Sequence, residues 1–198
     1  MAKRLFDLVI SALLLVLLAP LLAGVAAWVR LDSPGPVLYR QERVGRRGVP
    51  FFIHKFRTMQ HGAAGPPLTV GADARITRAG VFLRRTRLDE LPQLFDVLRG
   101  AMSLVGPRPE VPRYAAHWPA SLRERVLAVR PGITDATSLA HLDEAALLAK
   151  AADPEREYIE RILPAKAERA AAYAERATLA SDLAVLWRTA FVLLGGRR

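Results

Sequence analysis

No cysteine occurs in the 198 residues, which excludes a disulfide scaffold, a thiol nucleophile and a thiolate metal site. Histidine is scarce, and its four scattered copies offer no spacing for a zinc centre. Lysine is scarce as well: Lys3, Lys55, Lys150 and Lys166 are the only ones. Charged residues make up 24% of the chain and hydrophobic ones 52%, a balance that excludes a disordered basic tail. The length suits one domain of ordinary size.

What the chain has instead is arginine, concentrated in one region. Residues 1–130 carry 20 Lys/Arg against 9 Asp/Glu, while residues 131–198 carry 9 against 10, so the net charge of +10 lies wholly in the first two thirds. A GC-rich genome would also raise arginine and alanine, the bland alternative to a functional reading of the bias. Arginine keeps its charge, and its planar fork suits bidentate contact with phosphate. The partners this charge admits are nucleic acid, an anionic membrane surface, or a phosphorylated small molecule.

From Leu8 to Val29 run 22 residues without a charge. As a helix they rise ~33 Å, about one bilayer core. Three readings fit: a spanning anchor, a signal peptide with Lys3 and Arg4 as its basic start, or a bent helix that enters and leaves on one face. Pro20 sits mid-segment and removes a helix hydrogen bond. Basic residues flank both ends, Lys3 and Arg4 before and Arg30, Arg40, Arg43, Arg46 and Arg47 after, which retains both ends on the cytoplasmic side. A kinked, re-entrant helix satisfies both features, with Ser11 as a candidate partner for backbone groups freed near Pro20.

Val37–Arg43 and Val49–Arg57 are rich in aromatic and β-branched residues and flank Gly45-Arg46-Arg47-Gly48, the pattern of a β-hairpin. Residues 60–74 read as a loop, and Ile76–Arg85 as a short basic helix capped by Thr77. Leu91, Leu94, Phe95 and Leu98 follow the spacing of a buried helix face, with Gly100 as its stop. Pro92 is tolerated only in a first turn, so this helix is expected to begin near Asp89. Thr86 is an alternative N-cap, with Asp89 at the third helical position. An Asp-Glu pair, Asp89 and Glu90, thus stands directly behind Arg84, Arg85 and Arg87. Asp89 is either a helix cap or a carboxylate kept ionised by its surroundings, able to attack phosphorus or to hold a divalent cation. Gly106-Pro107-Arg108-Pro109 forms a stiff turn that presents Arg108 in a defined direction, and Arg130-Pro131 fixes a second arginine.

Four runs, KFRTM (Lys55–Met59), RRTRLDELPQL (Arg84–Leu94), MSLVGPRPE (Met102–Glu110) and VRPGIT (Val129–Thr134), in this order resemble the bacterial sugar transferases, the monotopic polyprenyl-phosphate phosphoglycosyl transferases. The resemblance covers nearly the whole chain. It implies transfer of a sugar 1-phosphate from a UDP-sugar to undecaprenyl phosphate, with release of UMP, at the cytoplasmic face of the bacterial inner membrane. That step begins exopolysaccharide, O-antigen or glycoconjugate assembly. By the same resemblance Asp89 is the nucleophile of a covalent aspartyl phosphosugar and the residue at the Mg²⁺, and Glu90 assists. Arg108, Arg84, Arg130, Lys55 and Arg57 are the candidate phosphate and substrate ligands, and Pro20 marks the membrane kink. The family's Ser-Pro pair is Ala19-Pro20 here, and Asp135-Ala136-Thr137-Ser138-Leu139 replaces a common Gly-Trp-Ala-Gln run, which bears on donor identity. The larger members carry further membrane helices and another domain ahead of this unit, so the minimal catalytic form is expected.

The expected fold is mainly α with a small β-hairpin. Residues 1–30 form the membrane helix and residues 31–198 a cytoplasmic catalytic domain, with amphipathic helices at the membrane interface. Asp153–Ala180 is a helix-forming run with Ile159, Ile162 and Leu163 as a modest apolar face. Ser181 is a candidate cap for a last helix, Asp182–Leu194, which is either a core helix or an interfacial one with Trp187 at headgroup depth. The competing function is a membrane-attached basic protein that binds anionic lipid or nucleic acid without catalysis. The chain lacks zinc spacing, an RNA-recognition aromatic signature and an evident helix-turn-helix, so nucleic acid is not expected as a partner.

Overall fold

The computed structural model describes residues 1–65, 68–71, 73–135 and 144–193. It is mainly helical. Helices α1 (Ala2–Leu17) and α2 (Ala19–Asp32) lead into strands β1 (Leu38–Val44) and β2 (Pro50–Phe56). Helix α3 (Arg78–Thr86), a 3-10 turn (Leu88–Glu90), helix α4 (Gln93–Arg99) and strand β3 (Ser103–Val105) follow. Then come α5 (Pro112–Ala115), α6 (Ala120–Leu127), β4 (Gly132–Thr134), α7 (Glu144–Leu148), α8 (Pro154–Glu157), α9 (Leu163–Arg176) and α10 (Leu179–Leu193).

The hairpin forms where aromatic and β-branched residues predict it, antiparallel from Leu38↔Phe56 to Val44↔Pro50. Its turn places Arg47 at φ 59°. A second, parallel pair, β3 with β4, escaped the sequence reading, because strands of three residues show no alternation. It holds the rigid arginine turn: Gly106 N donates to the Thr134 carbonyl and Gly132 N to the Pro107 carbonyl.

Thr77 caps α3 by accepting from Gly80 N, and α3 packs against the strand end at Gly80, where an added Cβ would meet the Thr58 carbonyl oxygen at 2.0 Å. The next helix differs from expectation. Asp89 and Glu90 occupy the 3-10 turn, and α4 starts only at Gln93, after Pro92. Thr86 ends α3 and donates its hydroxyl to the Phe82 carbonyl, so it caps nothing in α4. The buried face of α4 is Gln93, Leu94, Asp96 and Val97, while Phe95 is exposed. Asp96 sets that rotation: its carboxylate accepts the His54 backbone N–H at 2.9 Å and lies 2.7 Å from His54 Nδ1. Gly100 stops the helix with φ 89°, as its position predicts.

Helices α1 and α2 break at Leu18, two residues ahead of Pro20, and are bent by 64°. No single helix among the described residues is long and apolar enough to cross a membrane; the bent pair passes by length and composition together. Backbone N–H groups at the break bond the Leu14 and Val16 carbonyls, so Ser11 is not the partner expected there. Ser11 is buried, and its hydroxyl meets no partner among the described residues.

Both ends of this bent pair are fastened to the rest of the protein. In α1, Lys3 donates to the Val105 carbonyl at 3.0 Å and to Asp182, Arg4 donates to the Val97 carbonyl at 2.8 Å, and buried Asp7 accepts from Ser103 Oγ at 2.8 Å. Phe6, Ile10 and Leu14 pack with Leu94, Leu104 and Val185. From α2, Val25 and Val29 pack with Phe56 and Leu83. Asp32 accepts from Ala79 N at 3.0 Å. The turns between lie outside this packing, with Leu13, Val16 and Leu17 all more than half exposed.

The C-terminal third wraps the other side of the hairpin. Tyr158 and Leu163 pack with Tyr114, Trp118 and Val44 in the largest apolar cluster. A π-helical segment (Tyr158–Ile162) separates α8 from α9. Helix α10 starts at Leu179, earlier than expected: the Thr178 hydroxyl accepts from Ser181 N and the Ser181 hydroxyl from Thr178 N, so Ser181 is the inner member of a capping box. Val185 faces the core, and Trp187 and Phe191 are exposed. Residues 136–139 and Leu194, which carried two of the expectations, lie outside the described residues.

Candidate active site

The 3-10 turn places two adjacent carboxylates in the protein interior, with Asp89 8% and Glu90 6% exposed. Arg87 precedes them with φ 60°, a left-handed conformation that is uncommon for a residue with a side chain and that turns the chain from α3 into the dyad. Such strain tends to collect at functional sites.

Glu90 is saturated. Its Oε1 accepts from Lys55 Nζ at 2.9 Å and from Arg108, its Oε2 accepts from Arg108 at 3.2 Å, and the Arg87 guanidinium stands 4.0 Å away. Burial alone would raise its proton affinity. The charges of Arg108 and Lys55 and the Arg108 hydrogen bond outweigh burial and hold Glu90 well below the usual carboxylate range. Lys55 is pushed down by burial, against the pull of Glu90.

Asp89 is the opposite case. Its Oδ1 is buried and meets no hydrogen-bond partner among the described residues. Burial first, and then the charge of Glu90, raise its proton affinity, against Lys55, Arg108 and Arg87. It caps no helix. A carboxylate without donors, desolvated yet facing cations, is a strong oxygen nucleophile and has an oxygen free for a ligand.

The structure brings Lys55 and Arg108 to the dyad, and Arg84 into electrostatic reach of Asp89. Arg84 is held by Thr58 Oγ1 at 2.9 Å and Thr69 Oγ1 at 3.2 Å. Two predicted ligands are elsewhere. Arg57 is 4% exposed and donates to the Ser33 carbonyl at 2.7 Å and to those of Val29 and Pro34, where it closes the C-terminal end of α2. Lys55, two residues earlier and inside β2, takes the site, whereas Arg57 lies just past the strand end at Phe56. Arg130 donates to the Gly100 carbonyl at 2.9 Å, at the end of α4 away from the dyad.

Two other basic residues join the site. Arg87 lay within the basic run, but only the αL turn directs it at Glu90. Arg43 donates to the Pro109 carbonyl at 2.9 Å and lies 3.6 Å from Glu110, which steadies the Arg108 turn from the hairpin. A cavity of about 310 Å³ opens beside Arg87 and Arg108 and runs past Thr69 to Tyr158, Lys166 and Trp118. Its inner wall is polar: Tyr158 donates to Glu110 at 2.6 Å, and Lys166 pairs with Glu144 at 3.0 Å.

Among the described residues no group of three or more His, Asp, Glu or Cys side chains gathers to hold a metal. A hard cation that binds one carboxylate and takes its other ligands from phosphates and water still fits Asp89, whose Oδ1 is unpartnered. Glu90 is already engaged by Lys55 and Arg108.

A buried carboxylate pair set in fixed cations, two of which, Arg87 and Arg108, line the cavity, is an arrangement suited to phosphoryl transfer. The comparisons with known proteins agree with that class. The chain matches the bacterial sugar transferase family over residues 1–196 and belongs to it. It is 47% identical over 136 residues to a UDP-glucose:undecaprenyl-phosphate glucose-1-phosphate transferase of Caulobacter vibrioides, covering 67% of this chain and 51% of that protein. It is 46% identical over 112 residues to a putative undecaprenyl-phosphate N-acetylgalactosaminyl 1-phosphate transferase of Bacillus subtilis, covering 56% and 63%. An Escherichia coli UDP-glucose:undecaprenyl-phosphate glucose-1-phosphate transferase is 43% identical over 136 residues, 67% of this chain and 29% of that protein. The matched region is thus between about a third and two thirds of these relatives.

Proposed function

We propose that this chain transfers a sugar 1-phosphate from a UDP-sugar to undecaprenyl phosphate through a phosphosugar bound covalently to Asp89, as the first membrane step of exopolysaccharide, O-antigen or glycoconjugate assembly. The observation that carries the reading is the division of labour in the dyad: Glu90 gathers the cations, and Asp89 is left without a donor.

In the first step an Asp89 carboxylate oxygen bonds to the sugar-bearing phosphorus, and the bond from that phosphorus to the UMP oxygen breaks. UMP leaves as a phosphate, which needs no added proton. In the second step an oxygen of undecaprenyl phosphate bonds to the phosphorus, and Asp89 leaves as a carboxylate. The acceptor is already an anion near neutral pH, so neither step calls for a general base, and Glu90 is too firmly ionised to act as one. Its work is to hold Lys55 and Arg108 where charge develops on the phosphoryl oxygens. Mg²⁺, when bound at Asp89 and the donor phosphates, supplies charge neutralisation.

The acceptor is a lipid, and the fold suits a membrane-seated enzyme on the cytoplasmic face. Lys3, Arg4 and Asp7 at one end of the bent pair and Asp32 at the other all bond the same body. This arrangement supports a re-entrant helix with its exposed apolar break in the bilayer. A spanning helix would place Lys3 and Asp182 on opposite sides. Trp187 and Phe191 give α10 an apolar outer face suited to the interface.

The test is intact-mass analysis after incubation with UDP-sugars and no acceptor. The wild type gains one phosphosugar, and the Asp89→Asn variant gains none. Lipid product formed without any adduct under trapping conditions would overturn the covalent route.

A further inference from the structure

Two successive displacements at one phosphorus constrain where the two ends of the donor lie. Attacking and leaving oxygens stand roughly in line across the phosphorus. The UMP oxygen therefore leaves from the side opposite Asp89, and the lipid phosphate arrives from that same side in the second step. The sugar is bonded through another oxygen, off that line, and stays in place through both steps. The uridine end thus needs a site that opens to the membrane once UMP has left, and the sugar needs one that does not.

The cavity of about 310 Å³ meets the second requirement. Arg87 and Arg108, which stand at Glu90, both line it. The rest of its lining comes from the hairpin, from residues 108–118 and from the C-terminal third. None of the described lining residues belongs to α1, α2 or α10, the elements read above as facing the bilayer. Its volume is at the low end of the range for small-molecule sites, about 300–1,000 Å³, which suits one arm of the donor.

A chain of bonds leads from the Arg108 turn along the cavity wall. Arg43 donates to the Pro109 carbonyl and lies 3.6 Å from Glu110, and Glu110 accepts from the Tyr158 hydroxyl at 2.6 Å. Lys166 donates to that hydroxyl at 3.3 Å and to Glu144 at 3.0 Å. Lys166 and Glu144 end the chain as a donor and an acceptor that line the cavity, with side chains 20% and 27% exposed. A sugar hydroxyl both accepts and donates, and this fixed pair offers the complement of each. In a pyranose C1 carries the phosphate, and C4 lies across the ring from it. A ring entering from Arg87 and Arg108 presents its C4 hydroxyl to the end of the chain.

We propose that this cavity is the sugar subsite and that Lys166 and Glu144 read the C4 hydroxyl, setting the choice between gluco- and galacto-configured donors. The proposal rests on the reading of Asp89 as nucleophile. An epimer whose C4 hydroxyl points elsewhere leaves the pair unmatched, and a site built to bond a hydroxyl discriminates against such a sugar.

The experiment follows single-turnover UMP release by the full chain as donor concentration is varied, for the wild type, Lys166→Met and Glu144→Gln. The probes are two C4 epimer pairs: UDP-glucose with UDP-galactose, and UDP-N-acetylglucosamine with UDP-N-acetylgalactosamine. UMP affinity is read in parallel by thermal shift. The wild type should favour one configuration within a pair. Each variant should lose about 10–100-fold in kcat/KM on that donor and less on its epimer, with UMP affinity unchanged. Melting curves show which variant is folded, and either one alone decides. A wild type that uses the epimers equally, or a folded variant that keeps the wild-type ratio between them, overturns the assignment. A loss shared by all four donors together with weaker UMP binding also overturns it, by placing uridine in the cavity. If the wild type forms no Asp89 adduct with any donor, the nucleophile reading fails and this inference fails with it.

Discussion

Replacing Glu90 with glutamine separates the two carboxylates by the sign of their effect on stability. Glu90 receives three hydrogen bonds, from Lys55 at 2.9 Å and from Arg108 twice, inside a site where Glu90 is 6% exposed. The amide removes the negative charge and puts two donors where two cations donate. Lys55, Arg108 and Arg87 then face one another with their main counter-charge gone. Breaking one partner out of a buried ionic cluster typically costs about 3–5 kcal/mol. For a domain of this size that lowers the melting temperature by about 6–20 °C. Asp89→Asn should do the reverse. Burial, and next the charge of Glu90, raise the proton affinity of Asp89, so its ionised form opposes folding at neutral pH, and a neutral amide relieves that. The pH signs are opposite too. The depressed Glu90 gives stability that is complete above its unfolded pKa and is lost as pH falls through its lower native value. The raised Asp89 gives stability that is complete below its unfolded pKa and is lost as pH rises through its higher native value. Thermal melts of the two variants and the wild type, in the same detergent or nanodisc between pH 4 and 8, read all of this. An E90Q melt within about 2 °C of the wild type, or a D89N melt below it, would refute the division of roles.

Gly80→Ala should destabilise α3 by about 1–3 kcal/mol or more, because the new methyl meets the Thr58 carbonyl at 2.0 Å; a wild-type melting temperature would contradict this packing. Thr77→Ala removes the cap on Gly80 N and should cost about 1 kcal/mol in the same assay, with little effect on turnover. Single cysteines at residues 3 and 32 should both be labelled from the cytoplasmic side only, and periplasmic labelling of residue 3 would overturn the re-entrant reading. Chelation with EDTA should abolish adduct formation at Asp89 and added Mg²⁺ restore it, whereas undiminished transfer in EDTA would remove the metal from the site.

Much of the site was legible because its chemistry is local. Asp89, Glu90 and the Pro-flanked Arg108 sit in short, punctuated runs, and proline, glycine and charge carry their meaning over a few residues. The hairpin and the Thr77 cap were legible for the same reason. What the sequence hid depends on which face of an element turns inward. Lys55 and Arg57 are two residues apart in a motif, and only the end of β2 decides that one meets Glu90 while the other closes α2. Phe95 completes an apolar heptad pattern, yet it faces outward, because a buried Asp96 bonded to His54 outweighs the period. Lys3 and Arg4 read as topology signals and turn out to be ion-pair and carbonyl partners of distant segments.

That last pairing has a consequence in time. Lys3 is bonded to Asp182 across 179 positions of sequence. Synthesis at about 5–20 residues per second leaves the N-terminal helix without that partner for about 10–35 s after it emerges. On the re-entrant reading proposed above, that is the interval in which its apolar surface would meet the bilayer, so insertion would precede closure of the catalytic unit and Asp182 would lock a helix already seated.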